Sequence, residues 1–491
     1  MESFNQLKAI FSKLNKPEIQ LVYKLLEIGI ESMPDAGLKS AILLETIGKK
    51  NDISAIDMQK ILYKQANYEA FNKLVKRTRD KISEVLIMDL NIARGETYVD
   101  RNKTLFMLHK KIISSLVQEA RGLAAFTGPA TELLIKSALE YEFFDMALYI
   151  YQHKLNLMAF RKSELEVAKA IDQIKSIEIR RASLLNSSLL YNQLMAHINQ
   201  SASYHDYQEK LPEYIEKFEK DYQQSNAGTI AYYKFFTQTE YYQNKREYKF
   251  ANKALLAIKK LLAENVAVYT KQRMGTLLIN LANNQLYLKN FTYCYELTDQ
   301  AIDYYQNSNI NKGVSLEIKF FGKFYESNFD DARLIIEELY NNPIYRSINL
   351  INQKRAFYLA SLYFKMQSFD KALNLMDAIK DLSNDREGWN ISKRILSILI
   401  EIEKGDLDEV DNGIQSMKLH IKRTLKNKYI SMRYITIMRI LVKLFQSGFD
   451  FELTYQSRKR YFELMAQDPA YQWQMKSPEL VNFEEWFNSK R

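Results

Sequence analysis

Leu359-Ala360-Ser361-Leu362-Tyr363-Phe364-Lys365-Met366-Gln367-Ser368-Phe369-Asp370-Lys371-Ala372 decides the fold. A run with helical spacing ends in a short polar stretch. A large aromatic follows, with alanine three residues later. Such a joint places two helices antiparallel, because a turn this short leaves no other way for the chain to continue. The small residue lets the two backbones approach closely, and the aromatic is expected to fill the space toward the next pair.

The same joint recurs with its bulky residue at Phe144, Tyr248, Phe291, Phe329, Phe369, Leu407 and Phe449. From Tyr248 onward the intervals are 43, 38, 40, 38 and 42 residues. The position three residues on is Ala147, Ala251, Cys294, Ala332, Ala372, Val410 and Glu452. A period near 40 predicts stacked helix pairs. The turn Lys365-Met366-Gln367-Ser368 has counterparts in Tyr325-Glu326-Ser327-Asn328 and Phe445-Gln446-Ser447-Gly448. If Phe369 fills an interhelix core, replacing it with alanine is expected to cost about 3–5 kcal/mol.

Composition agrees with this reading. Only 14 Gly and 7 Pro in 491 residues leave too few turn formers for a β-rich chain, so the expected class is all-α. A stacked array also escapes the size limit of a single core, because each pair buries its own apolar face. The opening residues lack a basic stretch leading into an apolar run, and no segment approaches 18 uncharged apolar residues, so a soluble, cytoplasmic protein without membrane insertion is expected. The lone Cys294 rules out an internal disulfide, and its place on a small-residue position makes it a core thiol.

Ahead of the repeats, Lys16-Pro17-Glu18 marks a helix start and Met33-Pro34 a stop. A helix from about Tyr68 to Leu90 carries Phe71, Leu74, Val75, Ile82 and Leu86 on one face and Lys73, Lys76, Arg77, Arg79 and Lys81 elsewhere. With Asp80 and Glu84 among them, the basic residues read as a solvated face rather than a DNA-recognition helix. Gly128-Pro129 is a clear stop and restart. Ser163-Glu164-Leu165-Glu166 forms a capping box, and a helix from there to Gln200 would span about 54 Å. Its stripe of Leu165, Ala168, Ile171, Ile174, Ile177, Leu185 and Leu189 keeps no strict heptad and is expected to pack within the chain. The predicted layout is a helical domain at 1–127, a helix pair plus long connecting helix at 128–228, repeats at 229–465 and a capping helix at 466–491. Trp473 and Trp486 are expected to pack in that cap, which covers the last repeat.

The repeat units resemble tetratricopeptide repeats, with Leu359-Ala360, Tyr363, Phe369 and Ala372 at that family's small, aromatic and alanine positions. The resemblance covers residues 229–465 and an isolated match near Phe144. The chain departs from the family's period of about 34 residues, lacks the signature Trp, and has the closing proline only at Pro343. The resemblance implies an α-solenoid in which the first helix of each pair lines a concave groove, exposing Asn283, Tyr287, Ser361 and Lys365 to a ligand.

No reaction chemistry is legible. The five histidines are His109, His153, His197, His205 and His420, and no two stand at helical ligand spacing. Gly37-Leu38-Lys39-Ser40 follows Gly29 by eight residues, which breaks the spacing a phosphate loop needs. No catalytic residue, metal or cofactor is therefore predicted. Net charge is +10, and a basic cluster of Lys422, Arg423, Lys426, Lys428 and Arg433 lies near Tyr429 and Tyr434. Arg458-Lys459-Arg460 precedes Tyr461, and such pairings of base and ring suit single-stranded nucleic acid. The leading expectation is a non-enzymatic interaction scaffold that binds a protein or peptide partner in the groove. The alternatives are a peptide-sensing regulator, with a layout similar to bacterial repeat regulators, and a nucleic-acid-associated factor.

Overall fold

The computed structural model describes residues 2–32, 34–50, 52–63, 67–88, 100–123, 126, 128–160, 162–200, 208–305, 308–345, 349–382, 385, 388–425 and 431–491. Among them every regular element is helical, comprising α-helices and the single 3₁₀ turn Pro343–Tyr345. The chain divides into two compact units, Met1–Ala170 and Ile171–Arg491.

In the first unit, α1 (Glu2–Phe11), α2 (Lys16–Ser32), α3 (Pro34–Lys49), α4 (Ala55–Tyr63) and α5 (Tyr68–Met88) enclose a core of Phe4, Leu7, Val22, Leu43, Met58, Phe71 and Ile82. Two of the helix starts, those of α2 and α4, show their local cause. Asn15 and Glu18 satisfy each other's backbone N–H groups at 3.0 and 2.6 Å, and Ser54 Oγ accepts from the Asp57 N–H. The basic side of α5 lies outside this core, with Lys73 paired to Glu69 and Lys81 to Glu84. After α6 (Asp100–Ala120) comes the hairpin of α7 (Pro129–Glu140) and α8 (Phe144–Met158), where Ala147 is fully buried.

Helix α9 (Glu164–Gln200) begins at the expected capping box, in which Glu166 accepts from the Ser163 N–H and Ser163 Oγ accepts from the Glu166 N–H. Its buried side is only partly the expected one, with Ile177 buried and Ile174 half-buried. Leu165, Ile171, Leu185 and Leu189 are exposed, whereas Ser183 and Ser187 are buried. A polar seam runs along the buried side between Ile177 and Leu194. Arg180 donates to the Ser225 carbonyl, and Ser183 and Ser187 donate to Gln224 and Asp221, all on α10 (Leu211–Ser225).

Six helical hairpins follow in the second unit. They are α11/α12 (Gly228–Asn244, Tyr248–Glu264), α13/α14 (Lys271–Tyr287, Phe291–Tyr304), α15/α16 (Asn309–Tyr325, Phe329–Asn341), α17/α18 (Asn349–Lys365, Phe369–Ala378), α19/α20 (Trp389–Lys404, Leu407–Leu425) and α21/α22 (Met432–Gln446, Phe451–Gln467). Each helix packs on the next one in sequence. First helices also touch first helices, α13 on α15, α17 on α19 and α19 on α21. One apolar core runs through the stack from Tyr232 to Phe487.

A single turn geometry makes all these hairpins. The residue just past the first helix is left-handed: Glu142, Arg246, Lys289, Ser327, Gln367, Gly405 and Gly448 have φ between 57 and 78°. The following N–H reaches back five residues, as in Phe143 to Ala138, Asn328 to Lys323 and Ser368 to Tyr363. This closure satisfies the helix's last carbonyls and reverses the chain. Five of the seven positions hold a residue other than glycine, each at a cost of about 1 kcal/mol.

The fixed feature of the joint is the small residue. Ala147, Ala251, Cys294, Ala332, Ala372 and Val410 are all 0% exposed. Burial pushes the Cys294 thiol up to about 12, as suits a core thiol. The bulky residue is buried at Phe144 but does less than expected at the later joints. Leu407 is 55% exposed, and Phe369 is only half-buried, tilted against Phe364 at 5.8 Å. In the last hairpin the sequence register is off by two. Both Gly448 and Phe449 are left-handed, so α22 starts at Phe451, and the buried small residue is Thr454 rather than the exposed Glu452. Second helices thus start 38 to 44 residues apart rather than at one fixed spacing.

Candidate functional site

The candidate site is the inner face built by the first helices of the hairpins, and the chain's own residues 468–482 lie across it. This stretch, called the strap here, joins α22 to α23 (Phe483–Lys490). Pro469 and Pro478 keep it from continuing α22 as a helix. At its start, Arg246 in the α11–α12 turn donates to the Pro469 carbonyl and to Gln472 Oε1 at 3.3 and 3.5 Å. The Trp473 ring stands edge-on to Tyr325 of α15, 5.7 Å between centroids, and its Nε1 donates to the Glu479 carbonyl at 2.7 Å.

Lys476 is the deepest anchor. Its backbone N–H donates to Tyr325 Oη at 2.8 Å, and its ammonium donates to Asn283 Oδ1 of α13 at 2.6 Å while lying 5.4 Å from the centre of the Phe321 ring. Burial pulls the amine down to about 8. Its backbone is left-handed, φ 60°, a strained conformation held by these contacts. Burial likewise raises the Tyr325 and Tyr287 phenols, so both stay protonated hydrogen-bonding groups.

At the far end the strap is clamped by charge. Arg433, at the start of α21, donates through Nε and Nη2 to both oxygens of Glu479, each at 2.6 Å, and through Nη1 to the Tyr471 carbonyl at 2.8 Å. It also holds Glu484 of α23, with Nη1 to Oε1 at 2.9 Å. Burial alone would lower the guanidinium, but the two acids outweigh it and hold it further up. Burial pushes the Glu479 carboxyl up against the pull of Arg433. Three N–H donors, two from Arg433 and one from Phe483, converge on its two oxygens, which is the arrangement of an ionised carboxylate. Beyond the clamp, α23 packs Trp486 and Phe487 against Phe451, and Phe487 also against Phe462, with Phe483 against Phe487, and Trp486 Nε1 donates to Glu403 at 2.7 Å.

Of the residues expected to line the groove, Asn283 is on the inner face and engaged with the strap. Tyr287 is half-buried and stacked flat on Tyr248 at 4.5 Å. Ser361 is fully buried, its hydroxyl donating to the Phe357 carbonyl of its own helix, so it is not a groove residue. Lys365, half-buried, ends α17. The basic cluster does not assemble. Lys422 and Arg423 are exposed at the end of α20, Lys426, Lys428 and Tyr429 lie outside the described residues, and Arg433 is buried between two carboxylates. Tyr434 is buried too, accepting from Ser392. Trp473 sits on the third hairpin, away from the end that Trp486 helps to close. Sequence reasoning missed Phe321, Tyr325, Lys476 and Glu479 as a set. The one local signal was a proline-punctuated stretch without helical spacing, Pro469 to Pro478.

The described residues contain no group of His, Cys, Asp and Glu able to hold a metal ion, and no helix among them is long and apolar enough to cross a membrane. This is an all-α protein whose second unit is a stack of helical hairpins. No family model matches the chain, and no curated protein does. Among solved structures it is similar to the apo form of RapI, at 11% identity and a TM-score of 0.44 over 74% of this chain and 87% of that one.

Proposed function

We propose that the protein is a non-enzymatic interaction scaffold whose inner face takes a non-helical peptide segment of a partner protein. The observation that carries this reading is the strap itself. The face already holds a non-helical, turn-containing peptide segment, through an aromatic edge, an amide acceptor beneath a cation and a two-pronged carboxylate clamp. These are the contacts by which grooves in helical proteins read side chains, and they need no reaction chemistry. The nucleic-acid alternative draws less support, because the cluster's Arg433 and Tyr434 are turned into the protein.

Fluorescence anisotropy tests the proposal. The full-length chain carrying Lys476→Ala, which loosens the strap, is titrated with a panel of labelled 15-residue peptides and with a labelled single-stranded oligonucleotide, at 50 and 200 mM salt. Peptide binding that changes little with salt, and is lost on adding Tyr325→Ala, is the expected result. Oligonucleotide binding that falls by about 10³-fold or more over that range, with no peptide bound, would overturn it.

A further inference from the structure

Taking the inner face as a peptide site, we propose that the strap is a built-in stand-in for the ligand. Trp473, Lys476 and Glu479 occupy the places of an aromatic, a cation and a carboxylate spaced three residues apart in a partner segment, which displaces them when it binds.

Three observations lead there. First, the anchors are polar and discrete. A segment that only covered apolar surface would be built from residues such as Leu480 and Val481, yet the middle of the strap places an ammonium on Asn283 and Phe321 and a carboxylate on Arg433. Burying such groups costs free energy unless each meets a matched receptor, and here each receptor belongs to the hairpins rather than to the strap.

Second, the docked strap is under tension while its two ends are secured. Lys476 combines a left-handed backbone with an ammonium whose hydrogen-bond partner is a neutral amide. The segment leaves α22 at Asp468 and re-enters the core at α23, whose Phe483 and Phe487 are fully buried. Residues 470–479 can therefore lift while both flanks stay in place. When Glu479 withdraws, Glu484 still neutralises Arg433, so opening does not leave that charge buried alone.

Third, the face continues beyond the strap, which explains how a separate molecule can displace a tethered one. A tethered segment has an effective concentration in the millimolar range, so a competitor needs contacts that the strap lacks. Asn283 and Phe321, which hold Lys476, each stand eight residues before the start of their second helix. Glu240 stands in that same register on α11. It has no ion-pair partner among the described residues, and burial pushes its carboxyl up. Three and four residues further along α11, the Gln243 and Asn244 side-chain nitrogens are buried without a hydrogen-bond partner among the described residues. A partner segment reaching α11 gains a carboxylate and two amide donors.

The test uses the full-length wild type, the full-length Trp473→Ala/Lys476→Ala variant and a fluorescein-labelled peptide of residues 468–482. The variant should bind the peptide at least about tenfold tighter than wild type does, because its own strap no longer competes. A peptide carrying Lys476→Ala and Glu479→Ala should lose at least that factor. Saturating peptide should also speed hydrogen exchange of residues 470–478 in the wild type. Equal binding by both proteins, or exchange unchanged at saturation, would overturn the inference even if the variant folded poorly. Should the variant bind other peptides of the aromatic–cation–carboxylate panel but not the strap peptide, the stand-in fails and the peptide site survives. Should it fold, as judged by helical circular dichroism, and bind none, both readings fall.

Discussion

Lys476→Met isolates the cost of placing an ammonium on the inner face. Methionine keeps an unbranched apolar stem against Phe321 and removes the charge. The amine is displaced from 10.5 to about 8 by burial, which corresponds to about 3.4 kcal/mol of penalty on the charged form. Against that stand the lost bond to Asn283, about 1 kcal/mol, and the lost contact with the Phe321 ring, about 0.5–1 kcal/mol. The variant should therefore be more stable than wild type by about 1–2 kcal/mol at pH 7.

The sign of the pH dependence follows from the depressed amine. Between about 8 and 10.5 the unfolded chain binds a proton that the folded chain has released, so wild-type stability gains with rising pH relative to the variant. By pH 9.5 the gain is about 2 kcal/mol. The Cys294 thiol, which burial holds at about 12 and the Lys476 charge only draws down, stays protonated in the folded chain over this range, and the buried phenols titrate in both proteins and cancel in the difference. Urea unfolding followed by circular dichroism at pH 7.0, 8.5 and 9.5 measures it. Parallel pH profiles for the two proteins would show that Lys476 carries no burial penalty, and the reasoning about the strained anchor would fall.

Three further outcomes are expected. Gln367→Gly relieves a left-handed position at φ 57° and should raise unfolding free energy by about 0.5–1 kcal/mol in urea melts. Arg433→Ala leaves Glu479 and Glu484 without their counter-charge and should cost about 3–5 kcal/mol by the same assay, whereas reversal of that loss below pH 4 would mark the acids as its cause. Phe369→Ala should cost only about 1–2 kcal/mol because the ring is half-buried, while Ala372→Leu, which forces bulk into a fully closed contact, should cost more; the opposite ranking in thermal denaturation would refute the account of the joint.

The hairpin joints were legible because their causes are local. A polar turn, then a bulky residue, then a small one three positions later lie within a dozen residues, and six of the seven small positions are fully buried where the sequence puts them. The seventh slipped because consecutive left-handed residues at Gly448 and Phe449 lengthen the turn, which spacing alone cannot register. Long-range pairing was out of reach. Arg433 reads as part of a basic run because its acids lie 46 and 51 residues further on. Ser361 occupies a first-helix position that the repeat pattern assigns to the groove, yet its hydroxyl folds back on the Phe357 carbonyl inside the pair. The α9 stripe was legible only in part for the same reason: Ile177 is buried as expected, but Ser183 and Ser187, bonded to α10, share the buried side while Leu185 and Leu189 are exposed.

An array stabilised by neighbour-on-neighbour stacking alone should fray from its termini, one hairpin at a time. Hydrogen bonds linking residues 193 and 226 positions apart, Asn283 to Lys476 and Arg246 to Gln472, turn this open chain of hairpins into a closed circuit. Melting of an end hairpin then breaks contacts in the middle, so unfolding becomes concerted, and the last step of folding must wait for residues 468–482 to be synthesised and brought home.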